Sequence, residues 1–222
     1  MIDIQTLCQI PQSLNEKATL VKPRREIPPP STPHGITTAS LVKAAWAVVL
    51  ARASKKKDVV FGHIINGRDA PLQDVDSISG PCITISPFKV AVQDGCTVLD
   101  LLNHVQNQYI RSMPYGNMDF KDIVKHATLW SHDTEFGSVL THQDANIDLR
   151  GGVEGTGSQW KNLDLGMQPQ FHIVTHQVGG KLLVQFAVPS NRMHPDDADR
   201  IIDQFCQMIT EFSVDTQAQL EL

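Results

Sequence analysis

Asp58-Val59-Val60-Phe61-Gly62-His63-Ile64-Ile65-Asn66-Gly67-Arg68 is the stretch on which the fold turns. Its first eight residues are mostly β-branched or aromatic, which suits a pleated, buried segment, and Asn66-Gly67 supplies the turn chemistry that ends one. It reads as a central strand followed by a loop. Upstream, Leu41-Val42-Lys43-Ala44-Ala45-Trp46-Ala47-Val48-Val49-Leu50 is apolar almost all round, with Thr37 or Thr38 placed to cap it and an end near Ser54. A helix without a polar face is buried within a larger assembly. Downstream, Ile83, Ile85 and Val90 alternate with Thr84, Ser86 and Lys89. That is a strand, and Pro87, which has no N–H, confines it to an edge or a bulge.

Further along, Thr97-Val98-Leu99-Asp100 has the form of a capping box, and Val98, Leu101, Leu102, Val105 and Tyr109 recur at helical spacing until Pro114 approaches. Asp119 to about His126 predicts a short helix and Phe136 to His142 a strand. Phe171–Val178 and Lys181–Val188, joined by Gly179-Gly180, predict a hairpin. A last helix starts near Pro195, with Asp196, Asp197 and Asp199 in the positive end of its dipole and Ala198, Ile201, Ile202, Phe205, Met208, Ile209 and Phe212 along one face. Helices and strands alternate, so the class is α/β: a mixed β-sheet flanked by helices. Lys22-Pro23-Arg24-Arg25 and the proline-rich Ile27 to Pro33 favour polyproline geometry. Residues 1–34 therefore read as a linker or N-terminal extension, 35–214 as the globular unit and 215–222 as a tail.

The 222 residues are 41% apolar and 19% charged, which excludes disorder for most of the chain. Nineteen Lys and Arg against twenty-four Asp and Glu give a net charge of −5. That balance lacks the basic surface that phosphate contacts need, so no nucleic-acid partner is expected. Cys8, Cys82, Cys96 and Cys206 are scattered without a CxxC pair and read as free thiols in a reducing compartment. The N-terminus lacks the basic and apolar regions of a signal peptide, there is no Asn-x-Ser/Thr sequon, and the longest apolar run, Ala44 to Ala51, is far short of a membrane span. A cytoplasmic protein without a membrane partner is the expectation.

The sequence contains no Gly-x-Ser-x-Gly elbow, no P-loop lysine and no His-Glu-x-x-His. Gly151-Gly152 through Gly157 lacks the strand–helix context of a nucleotide site and reads as a crossing loop. His172 and His176 share a strand face, but no Cys or carboxylate nearby completes a ligand set. They read as polar residues on the wet side of a sheet, and no metal is expected. His63, among apolar neighbours, reads as a satisfied core histidine. His142-Gln143-Asp144 ends a strand, where side chains of open α/β sheets project into ligand clefts. A structural hydrogen-bonding role fits it equally. Gly67 offers a turn at positive φ that would aim Arg68, whose planar fork suits a carboxylate or loop carbonyls.

The central stretch resembles condensation domains of nonribosomal peptide synthetases, especially those of fungi. The upstream helix from Gly35-Ile36-Thr37-Thr38 to Trp46 fits the same family. Ser79-Gly80-Pro81-Cys82-Ile83-Thr84-Ile85-Ser86-Pro87-Phe88-Lys89-Val90 resembles its Gly-x-Phe-x-Asn-Thr-x-Pro-x-Arg-Val stretch. Asn117-Met118-Asp119 resembles its His/Asn-Gln-Asp motif, and Phe136 to Asp144 its strand ending in His-Gln-Asn. The chain departs at Thr84 (Asn in the family), Lys89 (Arg) and Asp144 (often Asn). The larger departure is that the family's catalytic His-His-x-x-x-Asp-Gly, carried by its N-terminal lobe, occurs nowhere in these residues.

The resemblance implies one lobe of the two-lobed chloramphenicol acetyltransferase-like fold, with 35–214 as the C-terminal lobe. In that fold two α/β lobes form a V around a tunnel where two phosphopantetheine arms meet. An amine attacks a thioester there, in elongation or in terminal cyclisation and release. By position Gly67 to Ser79 would be a floor-like loop and Gly151 to about Leu165 a crossing latch. The implied tunnel or structural residues are Gly67, Arg68, Gly80, Thr84, His142, Gln143 and Asp144, none of them catalytic. No cofactor binds directly; substrates arrive on the phosphopantetheine of carrier domains. The implied partners are the N-terminal lobe of the same domain and peptidyl carrier (thiolation) domains. Two other readings stay open: a non-catalytic docking or scaffold module that receives a carrier domain, and a stand-alone acyltransferase with His142 or His172 as substitute base. An upstream His-His-x-x-x-Asp-Gly separates enzyme from module.

Overall fold

The computed structural model describes residues 19–69, 73–80, 82–116, 118–143 and 171–222. Strand β3, Asp58–Asn66, pairs antiparallel with β4, Ile83–Ala91, and parallel with β5, Ser138–Gln143. β5 pairs parallel with β6, Phe171–Val178, which turns back antiparallel into β7, Lys181–Pro189. Gly179 at φ 57° and Gly180 at φ 74° make the two-residue turn whose left-handed backbone matches strand twist. β4 is an edge, as Pro87 requires.

Helix α1, Thr38–Ser54, is buried at every residue from Ser40 to Ala51. The assembly that buries it is the chain's own: the sheet on one side, with α2, Val98–Ser112, and α4, Pro195–Val214, beside it. Trp46 is the centre of this core. Its ring meets Phe171, Phe186 and Phe205 edge-on at centroid distances of 5.6, 5.9 and 5.4 Å, and its indole N–H donates to Ser138 Oγ at 3.1 Å. The helix starts are where the caps place them. The Thr37 side chain accepts from Ser40 N, Thr97 and Asp100 form the full capping box, and His194 precedes Pro195. A short helix, α3, Phe120–Ala127, is capped by Asp119. On the sheet face opposite α1, Phe136 lies so close to Gly62 that a Cβ there would sit 2.9 Å from its ring. Phe120 stacks on Phe136 at 4.0 Å.

Two stretches differ from the sequence reading. The residues read as linker hold two strands, β1, Leu20–Val21, and β2, Arg24–Ile27, laid end to end along one edge of β7. Pro23 does not break this edge, because its carbonyl accepts from Phe186 N. Arg25 then ties β2 to α4, its Nε and Nη2 donating to Asp203 and Asp199 at 2.7 Å. The stretch read as tail is packed as well. Thr216 and Ala218 carbonyls accept from Leu99 N and Val98 N, two first-turn donors of α2 that no helical carbonyl can serve, and Leu220 is buried.

Candidate tunnel-wall site

The parallel strands β3, β5 and β6 end on the same side of the sheet, where an open α/β sheet offers a cleft. The loop after β3 begins with a 3-10 turn over Gly67–Asp69. Among the described loop residues positive φ falls not on Gly67 but on Asp74, at 57°, and on Gly80, at 136°, where the chain re-enters β4. The expected turn chemistry therefore sits at the far end of the loop. Arg68 is half-buried, and among the described residues its guanidinium binds backbone carbonyls: Nη1 donates to Val75 O and Ile78 O, and Nη2 to Gly80 O, each at 3.0 Å. The guanidinium thus gathers both halves of the loop, and Arg68 N donates to Asn66 Oδ1 at 3.2 Å. Thr84 is half-buried on β4 opposite Ile65.

At the end of β5, His142 lies opposite Thr175 of β6, and His142 Nδ1 is 2.8 Å from Thr175 Oγ1. Gln143 lies opposite His176. Asp144 and the Gly151–Leu165 latch fall outside the described residues. The structure thus brings His142 and Gln143 to one strand end, with the Arg68 loop following the end of neighbouring β3.

His63 is in the core, 1% exposed, but it is not satisfied: neither ring nitrogen has a hydrogen-bond partner among the described residues. Its ring meets Phe88 at 5.0 Å and Tyr109 at 5.9 Å. Burial, and after it the charge of Lys43, pushes its pKa down to about 3. Lys43, within an apolar run, is only 6% exposed, and its ammonium lies 3.9 Å from the Tyr109 ring centroid. The legible signal is a cation inside the apolar run Leu41 to Leu50. His172 and His176 are not on a wet surface either. His172 is half-buried and His176 is 6% exposed, and burial lowers the pKa of both. Cys206 is an inert buried thiol, its pKa pushed up to about 12 by burial. Among the described residues no group of three or more His, Cys, Asp or Glu is placed to hold a metal, and no helix is long and apolar enough to cross a membrane.

The model of the condensation domain family matches residues 29–221, and the chain belongs to that family. It is 33% identical over 192 residues to nonribosomal peptide synthetase fmqA of Aspergillus fumigatus, covering 86% of this chain and 5% of that protein. It is 30% identical to synthetase fmqC of the same fungus, covering 88% of this chain and 17% of that one. The crystal structure of holo T3CT superposes with a TM-score of 0.79 at 32% identity, over 92% of this chain and 48% of that one. The starter condensation domain of rhizomide synthetase RzmA, at 12% identity and a TM-score of 0.65, shares the fold. The mixed sheet with its helices is thus the chloramphenicol acetyltransferase-like fold, and this chain spans about half the length of these two solved chains. Condensation domains of nonribosomal peptide synthetases form amide bonds from carrier-bound substrates.

Proposed function

We propose that this chain is the C-terminal lobe of a fungal condensation domain and forms one wall of a tunnel in which an amine attacks a carrier-bound thioester. What supports this is the condensation-family match over residues 29–221 and a superposition that spans only 48% of the solved holo T3CT chain, together with the absence of His-His-x-x-x-Asp-Gly from these residues. The lobe contributes wall and bracing. Arg68 holds the floor-like loop through three carbonyls, and Gly67, Gly80, Thr84, His142, Gln143 and Asp144 line or support the wall. Orienting or deprotonating the amine falls to the histidine motif of the partner lobe. Its partners are accordingly that N-terminal lobe and phosphopantetheine-bearing carrier domains, and it works in elongation or in terminal cyclisation and release.

The missing motif also fits a lobe that docks a carrier domain without catalysis. Reading the gene around this chain separates the two. A His-His-x-x-x-Asp-Gly segment upstream supports the enzyme lobe, and an open reading frame without one supports the docking module. A direct test is single-turnover amide formation by these 222 residues alone, which should be nil; turnover that survives repurification of the chain overturns the reading.

A further inference from the structure

Residues 19–27 are held on the rim of the lobe and not in its core. Among the described residues β1 and β2 pair with β7 and with no other strand. Pro23 is buried, Val21 and Ile27 are half-buried against the core, and Leu20, Lys22, Arg24 and Glu26 are exposed. The anchoring side chain, Arg25, reaches Asp199 and Asp203 of α4 in the open, where the two carboxylates are 51% and 60% exposed. Exposed ion pairs hold weakly, and a strap with so little buried surface opens at much lower free energy than the core beneath it. Lifting it leaves β7 with an unpaired edge over Leu182–Gln185 and Val188–Pro189, a template for any strand that fits. Asp199 and Asp203 stand beside that edge and call for a cation at the position of Arg25. The connection to α1 suits release. Pro28, Pro29 and Pro30 fix φ and carry no N–H, which keeps the chain extended, and it then turns where Ile36 N donates to Pro33 O at 3.0 Å with Gly35 at φ 83°. Opening that turn swings the strap away while α1, buried from Ser40 to Ala51, stays anchored.

We propose that the strap is an exchangeable edge strand: β7 accepts residues 19–27 of a second copy of this chain in place of its own, and the two copies lend each other the strap. A second copy brings the matching register and the arginine for Asp199 and Asp203. The contacts are the same in both forms, so concentration decides between them, against an effective concentration of about millimolar for a strand on a short tether. The parent chain is therefore closed in dilute solution. This inference stands apart from the tunnel reading.

The test is a charge exchange between two full-length variants, Arg25→Glu and the double variant Asp199→Arg/Asp203→Arg. In each alone the strap is repelled by its own α4, whereas in a mixture each strap matches the α4 of the other chain. The core is untouched in both. At about a tenth of a millimolar, below the effective concentration of the tethered strap, each variant should sediment as a monomer and the mixture as a 1:1 dimer. The dimer should melt above either variant alone. In the parent, hydrogen exchange at Phe186 N and Ser190 N, which donate to Pro23 O and Thr19 O, should run well ahead of global unfolding. A mixture that sediments as monomers and melts as its two components, or exchange at those two amides only at the global rate, overturns the proposal.

Discussion

Truncating Arg68 to Ala removes a guanidinium that donates to Val75 O, Ile78 O and Gly80 O at 3.0 Å. A hydrogen bond from a charged donor contributes about 1.5–3 kcal/mol when buried. The side chain here is half-buried, and water can reach the released carbonyls, so three bonds do not sum to three times that value. The expected loss is about 1–3 kcal/mol, with the lower half favoured if the loop frays locally before the lobe unfolds. For a chain of this size each kcal/mol shifts Tm by roughly 2–4 °C, so the melt should fall by about 2–12 °C. Hydrogen exchange distinguishes bracing from general damage. The turn bonds Ser77 N to Asp74 O and Ile78 N to Val75 O lie within the gathered loop, so those two amides should lose protection first. Arg68→Lys should lose most of the same stability, because one ammonium cannot span the loop as a planar fork does. Coincident melts together with unchanged exchange at Ser77 and Ile78 would refute the bracing.

Because His63 is held neutral in the fold to about pH 3 while an exposed histidine titrates near 6.5, the unfolded chain binds more protons between these values. Stability from this group is full above about pH 6.5 and falls as pH drops through the window, by at most about 1.4 kcal/mol per unit. Urea melts at pH 7 and pH 5 should show that dependence reduced in His63→Gln; equal slopes contradict it. Gly62→Ala places a methyl 2.9 Å from the Phe136 ring and should cost about 1–3 kcal/mol by overpacking, read from a denaturant midpoint; a parental midpoint contradicts the contact. Ile110, Met113, Tyr115 and Met118 are all exposed on one stretch, so the isolated lobe should bind an apolar dye or self-associate in light scattering. A monodisperse monomer without dye binding counts against an accessible apolar face on that stretch.

The helices were legible because their signals are local. Thr37, the Thr97–Asp100 box, Asp119 and Pro195 mark starts whose chemistry involves only the next few residues. The hairpin was legible from Gly179-Gly180 for the same reason. What was misread depends on partners distant in sequence. Arg24-Arg25 beside a proline looks like linker until β7 offers an edge and Asp199 and Asp203 offer carboxylates. Thr216 and Ala218 look like tail until α2 presents first-turn N–H groups to their carbonyls. At the site, Arg68 stood out by following Gly67, yet the left-handed glycine that lets the chain close is Gly80. His142 was visible as a strand end. Thr175 was not, because only the β5–β6 register sets it opposite His142.

Whether this tunnel wall works only with a histidine-bearing lobe is decided by reconstitution. The chain is mixed with the segment of its own synthetase that carries His-His-x-x-x-Asp-Gly. Association is followed by sedimentation, and single-turnover amide formation by mass spectrometry of the carrier-bound product. Neither part alone should form the amide, the parts should associate, and the mixture should transfer the acyl group to the amine. A mixture that never associates, or one that associates and leaves the thioester untouched, contradicts it.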